Sequence, residues 1–339
     1  MIDTLFTFDD VLIMPAAFST VPGRSEEYVS LEVEVERLKL KLPVISSNMD
    51  TVTGVEMAIA MAKSGGIGCL HRFATIDDNV KMFEESFKRS SVKPMVSIGI
   101  SANELMRAEA LVGAGAEVIV IDVANGAQQG MVDQVKALRA KYGTNIMIVA
   151  GNVATRDNIT ALARRTGAGA IDMYKVGIGP GSACTTRTKT GVGVPQLSAI
   201  IDCVASSYPV IADGGMKKAG DVAKALGAGA KMVMLGGMLA GTDETPGESD
   251  NGYKKYRGSA SSESYEAQGK IGKHRTSEGE SFMVKCKGPV ENVLQDINGG
   301  VRSTCTYVNA RNLRELHKNC VFKRVSANTV TENGAHGKS

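Results

Sequence analysis

A regular alternation of short apolar runs and longer helical stretches limits this chain to very few folds. Eight runs are nearly continuous in apolar residues, as strands covered on both faces are. These candidate strands are residues 43–47, 66–70, 95–99, 118–122, 146–151, 170–176, 209–213 and 232–236. Such runs are typical of a parallel sheet that is buried under helices.

Helical patterns fill the spaces between these runs. The candidate helices are residues 52–63, 76–88, 102–112, 130–141, 155–165, 197–206 and 219–226. Ala-Gly-Ala segments at 114–116, 168–170 and 228–230 precede strands and are typical of helix C-caps. About eight β/α units predict an α/β fold of the TIM (β/α)8 barrel type.

The domain organisation follows from this count. Length alone suggests about two domains, but α/β barrels of 339 residues are often one. We therefore expect a single catalytic barrel over residues 1–325. It includes a long insertion at 241–287, which is a lid, a binding flap or a disordered loop. Helical patterns at 290–298 and 310–318 close the barrel, and the polar tail 326–339 is expected to be disordered.

Composition excludes several classes of protein. A net charge of +3 is too small to favour nucleic acid or an anionic membrane, and without Trp the chain is a poor base-stacking platform. No run of about 18 apolar residues and no signal-peptide pattern at the N-terminus are present. The six cysteines contain no CxxC pair, which favours reduced thiols in a cytoplasmic protein over disulfides or a zinc site.

Polar and glycine-rich groups follow the predicted strands repeatedly. They are residues 48–50, 71–73, 122–126, 151–152, 177–186, 213–215 and 236–237. In a TIM barrel the loops at the C-terminal ends of the strands build the active site. The sequence therefore predicts one site at this end of the barrel.

The loop that follows residues 170–176 is the strongest candidate within that site. Gly177, Gly179 and Gly181 let the backbone turn tightly and approach a ligand. Cys184 follows, with hydroxyl residues beside it, where a nucleophile would be displayed. Taken alone, a glycine-rich surface loop with an incidental thiol is the alternative.

Two glycine pairs predict an anion site. Asp213-Gly214-Gly215 and Gly236-Gly237 end neighbouring strands, where barrels commonly cradle a phosphate with backbone amides. The carboxylate of Asp213 suits ribose hydroxyls. The alternative is a pair of tight turns in which Asp213 caps a helix.

Three weaker patterns surround these loops. Asp122 with Asn125-Gly126 offers polar groups for a second ligand, although Asp122 is equally a helix cap or a buried hydrogen-bonding group. Arg72 after the second strand suits a phosphate or a solvated surface. Glu278, in the insertion, suits a proton-transferring lid or an exposed turn.

Together these segments resemble the IMP dehydrogenase/GMP reductase family over nearly the whole chain. The matching segments are residues 8–13, 48–52, 177–196, 211–215 and 234–241. Residues 274–279, 261–263 and 302–307 are similar to the reductase branch, and His71 leads to Met95 without room for the CBS modules that dehydrogenases usually carry. Residues 64–68 are closer to the dehydrogenases, and 258–261 differ from one reductase pattern.

The resemblance implies NADPH-dependent reductive deamination of GMP to IMP and ammonia in a cytoplasmic homotetramer. It implies that Cys184 attacks purine C2 and that Thr186 and Glu278 relay a proton. Substrate contacts are implied for Ser182, Asp213, Gly215, Gly236, Gly237, Ser261 and Arg275, and cofactor contacts for Arg72, Asp122, Asn125 and Gly126. Carbonyls of Gly179, Gly181 and Cys184 are implied to bind K⁺.

Two other functions stay open at this point. One is an IMP dehydrogenase without CBS modules, which converts IMP and NAD⁺ to XMP and needs a water-activating base in the lid. The other is a purine-nucleotide-binding protein without turnover. Intact Cys184, Thr186 and Glu278 argue against the second, because binding alone needs no thiol.

Overall fold

The computed structural model describes residues 3–263, 276–326 and 329. Its strands are β1 (Val11–Ile13), β2 (Val33–Val35), β3 (Leu38–Leu40), β4 (Val44–Ser46), β5 (Ile67–Leu70), β6 (Met95–Ile98), β7 (Val118–Asp122), β8 (Met147–Val153), β9 (Met173–Val176), β10 (Val210–Asp213), β11 (Met232–Leu235), β12 (Tyr253–Arg257), β13 (Ser281–Lys285) and β14 (Phe322–Arg324). Strands β4 to β11 form a closed parallel barrel in chain order, because β11 pairs back onto β4.

Helices follow the barrel strands along the chain, and the helices from residue 290 onward come after the last barrel strand, β11. They are α1 (Val55–Lys63), α2 (Ile76–Ser90), α3 (Ala102–Gly113), α4 (Gln129–Tyr142), α5 (Arg156–Thr166), α6 (Thr186–Thr190), α7 (Gln196–Val204), α8 (Ala219–Gly227), α9 (Val290–Tyr307) and α10 (Leu313–Asn319). Helix α1, for example, turns an apolar stripe of Met57, Ala58 and Met61 to the core. The α/β barrel prediction is confirmed.

The barrel interior is a packed core. Ile45, Met95, Val149 and Ile211 lie in it among other fully buried side chains from alternate strand positions. The hairpin β2–β3 belongs to the same cluster through its apolar face, and it leads directly into β4. The hairpin therefore closes the N-terminal end of the barrel, which leaves the C-terminal end for a site.

All eight predicted barrel strands and the seven predicted helices between them are present, and no end is displaced by more than three residues. Helix α9 extends nine residues beyond the predicted end at 298, since burial of Val301 and Cys305 continues its apolar stripe through Gly299-Gly300. The alternation did not reveal the short antiparallel pairs β1–β14, β2–β3 and β12–β13. Strands this short carry little periodicity of their own.

The predicted insertion at 241–287 contains the ribbon β12–β13, in which Tyr256 pairs with Phe282. Residues 264–275 of the insertion, which include Arg275, lie outside the described residues, as does the predicted tail 326–339 apart from Ser326 and Thr329. The division into one domain and a tail stays a prediction. Within the described ranges no helix is both long and apolar enough to span a membrane.

Candidate active site

A cavity of about 430 Å³ opens at the C-terminal end of the barrel. Its walls are the loops after the strands on one side and the ribbon end near Gly258 and Glu278 on the other. The side chains of Arg72, Asp122, Lys175, Asp213, Cys184, Thr186 and Glu278 all line it. The predicted site at this end of the barrel is thus assembled around one cavity.

Close backbone packing explains the glycines of the cysteine loop. A Cβ at Gly177 would collide with the carbonyl oxygen of Asp213, and Gly179 has a φ of 86°. A Cβ at Gly179 would also meet the Arg187 side chain at 2.7 Å. The loop then tightens where the Cys184 amide donates to the Gly181 carbonyl at 3.0 Å. Only glycine fits at 177 and 179, so the loop displays Cys184 in a defined place.

Three side chains form a hydrogen-bonded row beside the cavity. The Cys184 Sγ lies 3.2 Å from Thr186 Oγ1, and Thr186 Oγ1 donates to Glu278 Oε2 at 2.8 Å. Backbone bonds hold the two segments together, from the Thr185 amide to the Glu278 carbonyl at 2.8 Å and from the Glu280 amide to the Ala183 carbonyl at 2.9 Å. A thiol, a hydroxyl and a carboxylate in contact can pass a proton along the row.

A smaller cavity of about 90 Å³ adjoins the first. Ser182, Gly215, Gly236 and Gly237 line it, together with the buried Tyr256 of β12. A Cβ on Gly237 would lie 2.6 Å from the Ser182 Oγ, so any larger residue here would push the serine hydroxyl aside. Glycine amides and a hydroxyl around a small space suit a phosphate group.

Lys175 lies at the centre of a buried polar network under the main cavity. Its Nζ is 2.6 Å from Asp122 Oδ1 and 2.6 Å from Asp213 Oδ2, and it also donates to Asn152 Oδ1. Four successive strands, β7 to β10, supply these four residues. Burial alone would lower the pKa of Lys175, but the two carboxylates outweigh it, and the pKa lies above its usual value.

The same network keeps Asp122 ionised. Burial alone would raise the pKa of its carboxyl, but Lys175, which is in contact with it, and the more distant Arg72 outweigh burial and hold the pKa below its usual value. Asn48 donates to the other oxygen, Oδ2, at 2.9 Å.

The predicted cofactor residues are only partly brought together. Arg72 lines the cavity with its guanidinium 5.0 Å from the Phe73 ring centroid, and its Nε is buried without a hydrogen-bond partner among the described residues. Asn125 is exposed and accepts from the Ala127 amide at 3.2 Å. Gly126 packs on Asn152, to whose carbonyl its amide donates at 2.7 Å. Arg72 and Asp122 thus face the cavity, whereas Asn125 and Gly126 are not among its lining residues.

The ribbon is tied to the barrel rim by an ion pair. Arg257 of β12 forms hydrogen bonds to both carboxylate oxygens of Asp50, and its amide donates to Thr51 Oγ1 at 3.1 Å. Both side chains are largely buried. Because β13 pairs with β12 and leads back toward Glu278, this pair helps to set the position of that carboxylate.

The remaining sequence predictions divide as follows. Ser261 is buried and forms a β-bridge to Gly279, next to Glu278, whereas Arg275 lies outside the described residues.

Sequence reasoning missed Lys175 and Tyr256 as parts of the site. A charged residue inside the apolar run 170–176 was a signal for Lys175, but nothing in the pattern of β12 marks Tyr256.

The chain is similar to known proteins over nearly its whole length. The family model that describes the IMP dehydrogenase / GMP reductase domain matches residues 5–336 of this chain. The chain is 40% identical to a GMP reductase of Photobacterium profundum, over 99% of this chain and 98% of that protein. It is 42% identical to GMP reductase 1 of Mus musculus, over 97% of this chain and 98% of that protein.

A solved structure extends the likeness to the whole fold. The crystal structure of a GMP reductase from Trypanosoma brucei in complex with guanosine 5'-monophosphate superimposes with a TM-score of 0.90 at 28% identity, covering 100% of this chain and 99% of that one. The chain belongs to the IMP dehydrogenase / GMP reductase family.

Proposed function

We propose that this protein is a GMP reductase, which converts GMP to IMP and ammonia by reductive deamination. The observation that carries the proposal is the row Cys184–Thr186–Glu278 on the wall of the cavity. Relatives at about this level of similarity bear the name GMP reductase over nearly their full length. The nucleotide in the Trypanosoma brucei structure is the substrate of this reaction.

The chemistry assigned to the row begins with a nucleophile. Cys184, as the thiolate, attacks C2 of the purine and forms a C–S bond, and the C2 amino group then leaves as ammonia. An amine is a poor leaving group until it is protonated. Thr186 contacts both the Cys184 sulfur and the Glu278 carboxyl, so it is placed to pass the proton that the amine needs.

NADPH, when bound, would supply a hydride to C2, and the C–S bond would then break, which releases IMP and returns Cys184 to the thiolate. The residues that we assign to it are Arg72, Asp122, Asn125 and Gly126. The fit rests on Arg72, whose buried Nε has no partner among the described residues and whose charge suits the 2′-phosphate. Phe73 beside it adds an apolar wall to the same part of the cavity.

The substrate contacts follow the two cavities. Asp213 lines both, which suits a ribose that joins a base in the larger cavity to a phosphate in the smaller one. Ser182, Gly215, Gly236 and Gly237 would then hold the phosphate. Ser261 and Arg275 are assigned to the purine from the family resemblance.

A potassium ion is the second proposed cofactor, held by carbonyls of Gly179, Gly181 and Cys184. Backbone carbonyls are the oxygens that K⁺ prefers. Thr185, next to Cys184, has a buried hydroxyl without a hydrogen-bond partner in the described part of the chain, so a spare oxygen lies at this loop. The ion would order the loop that carries Cys184. A cytoplasmic homotetramer is the proposed assembly and location, from the family resemblance and the reduced thiols.

Absorbance at the nicotinamide band tests the reaction directly. The purified protein is incubated in potassium buffer with GMP and NADPH, and separately with IMP and NAD⁺. We expect NADPH loss that depends on GMP, with IMP and ammonia as products. NADH formation with XMP would instead make the protein a dehydrogenase. Silence in both assays with intact GMP binding would leave a nucleotide-binding protein without turnover.

A further inference from the structure

The ammonium group of Lys175 joins two carboxylates that the proposed function assigns to different ligands. It lies 2.6 Å from an oxygen of Asp122, on the cofactor side, and 2.6 Å from an oxygen of Asp213, on the ribose side. Its third contact is the amide oxygen of Asn152. An ammonium has three donors, so all three are committed inside the protein. With 2% exposure, Lys175 is not itself a ligand-binding surface.

The two carboxylates differ in how many of their oxygens have a side-chain partner. Both oxygens of Asp122 are engaged, one by Lys175 and the other by Asn48 at 2.9 Å. At Asp213, Lys175 and the Asn152 amide both bond to Oδ2, the latter at 2.9 Å. Oδ1 of Asp213 accepts no hydrogen bond from the side chains that the structure describes, and Asp213 lines both cavities.

We infer that Lys175 is a positioning residue: anchored on Asp122, it holds Asp213 with one oxygen kept free for the ribose hydroxyls of the nucleotide. Asp122 then acts on the ribose position through Lys175, besides any contact with the cofactor. The inference rests on the proposed function, in which Asp213 binds the ribose, and it adds a link between the two ligand positions.

The physical reason is the cost of burying like charges. Without Lys175, two neighbouring carboxylates would face each other in a largely buried space with no cation in contact. Asp213 would then be free to rotate or to take up a proton, and either change removes its fixed acceptor. Arginine carries the same charge but spreads its donors over a planar fork, so it restores charge without restoring the three contacts.

The test compares two nucleotides that differ only at the ribose. Dissociation constants for GMP and for 2′,3′-dideoxy-GMP are measured by calorimetry without cofactor, so that lost cofactor contacts have no effect. We expect the protein to prefer GMP by about ten- to a hundredfold, the factor for hydrogen bonds to a charged group. Lys175→Met should reduce that preference to below about threefold, and Lys175→Arg should restore it only in part.

Asp122→Asn tests the link itself. It removes the charge that anchors Lys175 while leaving Asp213 intact, and we expect the preference for GMP to fall by about threefold or more. Lys231→Met is the matched control, because Lys231 is exposed just before β11, and it should leave the preference unchanged. Circular dichroism and thermal melts establish that each variant is folded, and Lys175→Arg is the variant to measure if Lys175→Met does not fold.

Each outcome decides one part of the inference. Equal weakening of both nucleotides in the folded Lys175 variants, or an unchanged preference, would overturn the positioning role. An unchanged preference in Asp122→Asn would overturn the link. Protein that shows the predicted preferences but makes no IMP from GMP would overturn the proposed reaction and leave this inference standing. Equal affinity of the unmodified protein for the two nucleotides would overturn the assignment of Asp213 to the ribose, and this inference with it.

Discussion

Thr186 and Glu278 are separated by 92 residues in the chain, yet the hydroxyl of one donates to the carboxylate of the other at 2.8 Å. Two backbone hydrogen bonds beside them join the cysteine loop to the segment that precedes β13. A residue of the insertion thereby becomes part of the barrel's site. This contact is the basis of the first prediction.

Glu278→Gln should abolish the proton relay while keeping the shape of the site. We expect kcat to fall by about a hundredfold or more, the range that general acid–base groups contribute. The dissociation constant for GMP should stay within about threefold, because the amide can still contact Thr186. Steady-state kinetics and calorimetry check the two values. Normal turnover in this variant would remove Glu278 from the mechanism.

The reactivity of the thiols should distinguish Cys184 from the cysteines that are buried in the core. Burial raises the pKa of Cys203 to about 12 and that of Cys305 to about 11, so almost no thiolate forms there at neutral pH. Cys184 is only half-buried on the cavity wall. Iodoacetamide at pH 7, followed by peptide mass spectrometry, should label Cys184 much faster than Cys203 or Cys305.

Two further measurements complete the thiol prediction. GMP should protect Cys184 from the reagent, and Cys184→Ala should have no measurable reductive deamination while remaining folded. Labelling of Cys203 at the same rate as Cys184 would contradict the assignment of Cys184 as the exposed nucleophile.

Lys254 should be worth far more to stability than its neighbour Lys255. The Lys254 ammonium, on a side chain that is 7% exposed, donates to the carbonyls of Thr242, Asp243 and Thr245 at 2.8–3.1 Å. Lys254→Met would remove the donor that the carbonyls of Asp243 and Thr245 share, whereas the Thr242 carbonyl would keep the Thr245 amide and hydroxyl as donors. We expect a loss of about 2–4 kcal/mol in the free energy of unfolding.

Lys255→Met is the matched control for that change. The Lys255 side chain is half-exposed and forms a surface ion pair with Glu263, a class of contact worth less than about 1 kcal/mol. Urea denaturation of the two variants gives the comparison. A similar loss for both would mean that the three carbonyl contacts contribute little.

Stability should fall on mild acidification through His71. Burial lowers its pKa and outweighs the nearby carboxylate of Asp50, and the Nδ1 atom accepts from the Phe73 amide at 3.1 Å, which needs the neutral ring. A lowered folded pKa means that its contribution is complete above about pH 6.5, the unfolded value, and is lost as pH falls through the folded value.

His71→Asn keeps an acceptor at this position but does not titrate. Denaturation curves between pH 7 and pH 5 should therefore show that the advantage of the unmodified protein over the variant shrinks as the pH falls. A difference between the two proteins that is constant over this range would show that folding does not lower the pKa of His71.

Features of this protein that depend on a local sequence pattern were predictable. The eight barrel strands and their helices were predictable because each is a local apolar pattern, and parallel strands covered by helices have few alternative packings. The glycines at 177, 179, 215, 236 and 237 were predictable as site residues because bare backbone is a local chemical property. The family resemblance added the roles of Cys184, Thr186 and Glu278.

Other features required the folded chain. The hairpin β2–β3 and the pair β1–β14 are too short to be seen by periodicity, and their stability comes from what they cover. Tyr256 lines the smaller cavity only because β12 folds back over the barrel. Asn125 and Gly126 share a segment with Asp122, yet the turn after β7 leaves the first exposed and packs the second on Asn152.

Local patterns a few residues long were therefore enough to predict the barrel, the end at which the cavity lies, and the glycine-rich loop that carries Cys184. Which charges meet depends instead on the three-dimensional arrangement. Asp122, Lys175 and Asp213 come from three different strands. Their ion pairs exist because the closed barrel places the ends of these strands side by side, so that the Lys175 ammonium lies 2.6 Å from an oxygen of each carboxylate in a buried space. Electrostatic partners depend on distance and burial, and neither quantity is encoded by neighbours in the chain.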